Sequence, residues 1–186
     1  SSKGTAVVGT VSGTAISFGS PVIFNSSGSS FNSAVYDSAA KKVVIAYRDQ
    51  ANSDGGTAIV GTVSGTSISF GTEVIFETGG TEFVSITYDS AAQKVVIAYT
   101  DDGNSGHGTL AVGTVSGTTI SFETPVVFES DATVYTSATY EASAGKVVIA
   151  YKDYNNSNQG TAIVFQTGYT STNLTSENYI GIASNG

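Results

Sequence analysis

Along most of this chain apolar and polar residues alternate with a period of two, the pattern of strands lying against a core. In KVVIAY, from Lys42 to Tyr47, the side chains of Val43, Ile45 and Tyr47 point one way and those of Val44 and Ala46 the other. Both sides are apolar, which predicts a central strand sandwiched between neighbouring sheets. Three more strands are predicted around it, at Phe31 to Tyr36, Thr57 to Val63 and Ser67 to Phe76. Gly61 leaves a gap on one face of the third, and Gly71 predicts a bulge or bend in the fourth. The turns between them are short. Asp37 is placed to cap its own hairpin, and Gly65 supplies the positive φ of a tight turn.

The pattern comes back. KVVIAYRDQANSDGGTAIVGTVSG from Lys42 returns as KVVIAYTDDGNSGHGTLAVGTVSG from Lys94 and as KVVIAYKDYNNSNQGTAIVFQTG from Lys146, each 52 residues after the last. Half a copy, GTAVVGTVSG from Gly4, lies the same distance before Gly56. A fixed period of about 20–50 residues marks repeat architecture. Four antiparallel strands per period, without helices, predict an all-β fold of four-stranded blades that is β-propeller-like, with a stacked-sheet array or a β-sandwich as the alternatives. A sandwich gives no reason for so constant a period, and a parallel β-helix needs shorter coils.

Blade boundaries follow from two assignments. The Ser-rich segments at Ser33, Ser85 and Ser137 suit a crowded inner strand. The segment carrying Glu73 suits an outer edge, where charge discourages edge-to-edge pairing. On this phase residues 4–25 are half a blade, 31–77 and 83–129 are blades, 134–167 is a partial blade and 168–186 is a tail outside the repeat. In the tail, Thr175 to Asn178 is expected to cap one helical turn before a short strand from Ile180 to Ala183. A closed propeller has about four to eight blades. Incomplete blades are therefore expected to recruit more chain, as a homo-oligomer or a longer repeat array.

Composition narrows the partners. The chain has seven Lys and Arg against 15 Asp and Glu, a net charge of −8. Phosphate-binding surfaces need clustered basic residues, so nucleic acid is excluded as a partner and an anionic membrane would repel the chain. No apolar run approaches the roughly 20 residues of a membrane-spanning helix. Cys is absent, which removes disulfides and thiolate metal sites. Few Lys and Arg among many Ser, Thr, Asn and Gly predict an exported or virion protein.

The candidate chemistry lies in one repeated constellation, Tyr-x-Asp-x-x-Asn-Ser: Tyr47, Asp49, Asn52; Tyr99, Asp101, Asn104; Tyr151, Asp153, Asn156. Its structural reading is a loop whose Asp and Asn side chains bond backbone N–H groups where the chain reverses. Its binding reading is a ring of oxygen-rich rim loops. Such loops suit cell-surface glycan hydroxyls beside a Tyr face, or Ca²⁺ at Asp49, Asp101 and Asp153. The pairs Ser33/Tyr36, Ser85/Tyr88 and Ser137/Tyr140 are expected to pack near the centre, with their hydroxyls bonded to neighbours. The lone His107 reads as a surface loop residue. Nothing holds it between an acid and a nucleophilic Ser, and no unique carboxylate pair breaks the repeat, so the chain is expected not to be an enzyme.

The loop NSDGGT from Asn52 resembles the Asp-box of sialidase-type propellers, a likeness lost in NSGHGT and NSNQGT. A sialidase holds its substrate carboxylate with several arginines, and this chain has Arg48 alone. The pattern SxxYDSxxxKVVIAYxDxxNSxxGTAIVGTVSGTSISFGTxVxF is more closely similar to tandem repeats of long tail-fibre-like and surface proteins of marine bacteriophages and bacteria. That resemblance covers about residues 4–165, and NLTSENYIGIA in the tail is similar to the segment following those repeats. It implies a structural or adhesive module of a virion or cell surface and supplies no catalytic residues.

Overall fold

A computed structural model describes residues 2–168, and these are all β apart from two single 3-10 turns, Gln50–Asn52 and Asp102–Asn104. The first strands are short: β1 (Gly4–Ala6), β2 (Gly9–Ser12), β3 (Ala15–Phe18) and β4 (Val22–Asn25). Next come β5 (Ser29–Asp37), β6 (Lys42–Asp49), β7 (Gly55–Ser64), β8 (Ser67–Phe70) and β9 (Val74–Glu77). Then follow β10 (Thr81–Asp89), β11 (Lys94–Asp101), β12 (His107–Ser116), β13 (Thr119–Phe122), β14 (Val126–Glu141), β15 (Lys146–Asp153) and β16 (Gln159–Phe165). The helical turn and strand expected at 175–183 lie outside the described residues.

Pairing is antiparallel. One sheet runs β5-β6-β7-β8, with β9 also on β7, and a larger one runs β10-β11-β12-β14-β15-β16, with β13 on β12. Two small pairs, β1–β4 and β2–β3, precede them. The orders are linear, and no sheet among the described residues closes into a barrel. Register keeps the period seen in the sequence. Ala46 lies opposite Ser33 and Ala58, Ala98 opposite Ser85 and Leu110, and Ala150 opposite Ser137 and Ala162.

Two elements depart from the expected pattern. The single strand expected from Ser67 to Phe76 is two strands, β8 and β9, which pair with successive parts of β7. A Cβ on Gly71, in the gap between them, would stand 1.9 Å from the carbonyl oxygen of Thr118. The chain breaks there to let the next hairpin's backbone in. Conversely, β14 runs unbroken from one sheet into the next pairing, whereas Thr78-Gly79-Gly80 separates β9 from β10. Ser130-Asp131-Ala132 at the same place has no Gly to favour a turn, so it stays extended.

Both faces of the first two KVVIAY strands are buried, as the two-sided apolar pattern requires, whereas in the third Ala150 is exposed and Val148 half-buried. Val44, Ala46, Ala58 and Val60 pack against Val95, Ile97 and Tyr99 in one core cluster. Ile45, Tyr47 and Ile59 pack the opposite way, against Phe24. Val96, Ala98 and Leu110 meet Val147, Ile149 and Tyr151 in a third cluster. Each fully buried Val or Ile stabilises the fold by about 1.5–3 kcal/mol. The core is thus a series of layers between sheets, and the loops joining β6 to β7, β11 to β12 and β15 to β16 all leave one end of it.

Candidate functional site

Each of these three loops is built by its Asp. The Asp49 carboxylate accepts from Ala51 N–H at 3.0 Å, that of Asp101 from Asn104 N–H at 3.1 Å, and that of Asp153 from Asn155 and Asn156 N–H at 3.0 and 3.2 Å. The chain then reverses through left-handed Ser53, Ser105 and Ser157, at φ of 52, 59 and 54°. This is local capping of a turn by a short acidic side chain. Burial, with Glu77 close by, pushes the Asp101 carboxyl above the usual carboxylate range.

The Tyr of the constellation faces inward. Tyr47 and Tyr99 are fully buried and Tyr151 nearly so, and each ring sits 5.2 Å from a Phe of the preceding strands: Phe24, Phe76 and Phe128. Each hydroxyl donates to a carboxylate. Tyr47 donates to Glu73 at 2.6 Å, Tyr99 to Glu77 at 3.2 Å and Tyr151 to Glu129 at 3.0 Å. Burial first, and the adjacent carboxylate second, push the Tyr47 and Tyr99 phenols far above their ordinary value. These rings offer no face to a sugar; of the constellation, Asn104 and Asn156 reach solvent. Glu73, expected to guard an outer edge, instead points to Tyr47 and accepts from Asn25 Nδ2 at 3.3 Å.

Other expected groups also tie one sheet to the next. Ser33 Oγ accepts from Ile86 N–H at 3.3 Å and Ser85 Oγ from Ala138 N–H at 2.9 Å. Tyr88 is buried beside Asp37, while Tyr36 is 56% exposed; Ser137 is exposed and Tyr140 half-buried. Arg48 bridges Asp54 of its own loop, at 2.8 Å, and Glu82 of β10, at 3.0 Å. The guanidinium holds the exposed Asp54 carboxyl below its ordinary range. His107 is not in a free loop: it opens β12, opposite Ala132. Asp49, Asp101 and Asp153 stand in three separate loops. Among the described residues no three His, Asp or Glu side chains converge as a metal site.

One repeated feature was legible only in hindsight. Phe31, Phe83 and Tyr135 sit at bulges in β5, β10 and β14, at φ of 52, 47 and 58°. Left-handed backbone is strained for so bulky a residue, at a cost of about 1–3 kcal/mol each. The rings compensate by forming a column, with centroids 5.2 Å apart from Phe31 to Phe83 and 4.9 Å apart from Phe83 to Tyr135. Their 52-residue spacing was the signal. No protein-family model, curated protein or solved structure matches the chain.

Proposed function

We propose that the chain is a non-enzymatic structural or adhesive repeat module, of propeller-like four-stranded blades, belonging to a phage fibre or an exported surface filament. The supporting observation is where the repeated polar residues are used. The three Asp cap turns, the three Tyr lock onto carboxylates beneath them, and Ser33 and Ser85 bond the next strand's backbone. Residues retained for chemistry would point to solvent around one cleft. The Tyr and Ser side chains point into the joints between packed strands, where they resist sliding and separation, and the Asp carboxylates hold their own turns. Such joints suit a load-bearing part and an exterior location, with further copies of the same module as partner.

Screening the chain on a glycan array tests this reading. No sugar is expected to bind, and Asp101→Ala with Asn104→Ala is expected to change stability without changing the array. Sugar binding that falls at least tenfold in the double variant would instead establish a multivalent lectin with one weak site per rim loop.

A further inference from the structure

We propose that the edge of β16 away from β15 binds an extended peptide strand of another chain, which pairs antiparallel to it and seats a phenylalanine ring over Gly160. The proposal stands on this edge alone, whichever function the module serves.

The edge is one of a series. Gly-Thr-Ala or Gly-Thr-Leu begins at Gly4, Gly56, Gly108 and Gly160, each 52 residues after the last. At the first three places a strand reading Val-Ile-Phe-Asn, Val-Ile-Phe-Glu or Val-Val-Phe-Glu lies alongside. The register is the same each time. Gly4 stands opposite Asn25, Gly56 opposite Glu77 and Gly108 opposite Glu129, and the pairing shifts just after the Gly. Phe24, Phe76 and Phe128 each come within 2.5 Å of where a Cβ on that Gly would stand. Each ring therefore fills space that only glycine leaves, the close approach for which a strand tolerates this residue.

At the fourth place the glycine is open. Nothing lies within 4 Å of the Cβ position on Gly160, and among the described residues β16 pairs only with β15. Around it Ala150 is exposed and Ala162 half-buried, where Ala46 and Ala58 of the first sheet are fully buried. The three Phe of this pattern among the described residues already sit on their own glycines, so the strand that fits here comes from elsewhere. Its chemistry follows from the other three: β-branched residues, then Phe, then an acidic or amide residue. That last residue comes opposite Gly160, which pairs on its other side with Lys152. Lys152 holds the place from which Arg48 reaches the carboxylates of Asp54 and Glu82. A glutamate in the incoming strand thus lies in one row with a cation, which favours an acidic partner. Main-chain hydrogen bonds along the edge supply affinity, and the ring over Gly160 supplies specificity.

The probe is dye-labelled Thr-Pro-Val-Val-Phe-Glu-Ser, the sequence of residues 124–130, titrated with the full chain and followed by fluorescence anisotropy. A Kd of about 1–100 µM is expected, since one short strand buries less area than a full interface. Replacing the peptide's Phe by Ala should weaken binding about tenfold or more, and so should Gly160→Val in the chain. The valine occupies the ring's place and meets no other atom there, so circular dichroism should show an unchanged fold. No binding up to about 1 mM, or binding that Gly160→Val leaves unchanged, overturns the proposal. The residue 52 after Phe128 is Ile180, outside the described residues. Peptide binding that appears only in Ile180→Asp would assign the edge to the chain's own C-terminal segment and overturn a partner strand.

Discussion

Tyr99→Ala is expected to remove about 4 kcal/mol of folding free energy, within the range for truncating a large buried aromatic. Tyr99 is fully buried between two sheets, with its ring on Phe76 and its hydroxyl on Glu77. Deleting the ring leaves a cavity in a layer whose walls are paired strands, and those cannot collapse inward without breaking register. Tyr99→Phe keeps the ring contact and removes only the donor, so it should cost about 1–2 kcal/mol. Urea unfolding of the three proteins checks both values. A Phe variant as damaging as the Ala variant would place the weight on the hydroxyl and remove the packing account.

Gly71→Ala is expected to cost about 3 kcal/mol, the upper end for overpacking, and to lower Tm by about 6–12 °C. The atom in the way of the new methyl is the Thr118 carbonyl oxygen, 1.9 Å from the Cβ position. It is backbone, so no rotamer change relieves the clash, and the β12–β13 hairpin must back away. Gly160→Ala is the matched control. Its Cβ meets nothing within 4 Å, and its effect should stay within about 0.5 kcal/mol. Thermal unfolding followed by circular dichroism separates them. Equal effects would mean that the two glycines matter through chain entropy rather than through contact with the next sheet.

Much of this architecture was legible because alternation and period are local properties of the sequence. The two apolar sides of KVVIAY required neighbours on both faces, and Val44 and Ile45 duly lie in different core clusters. Asp37 caps its hairpin through Ala39 and Ala40 N–H, as short acidic side chains before a turn do. What escaped were contacts between copies. Nothing in the local sequence shows that Gly71 makes room for a carbonyl 47 residues away, or that Glu73 meets Tyr47 rather than solvent. The column of Phe31, Phe83 and Tyr135 was hidden for another reason: aromatic residues disfavour left-handed backbone, so the local rules argue against the bulge that carries them. The candidate rim loops were readable as turns. Their Tyr was misplaced, because exposure depends on what the preceding sheet puts over it.

The aromatic rings packed between successive sheets report their face-to-face contact directly. Two-dimensional NMR of the folded chain is predicted to show cross-peaks between the rings of Phe31 and Phe83, Phe83 and Tyr135, and Phe76 and Tyr99. Their absence in a protein that retains its strands would show that the sheets do not stack in this way.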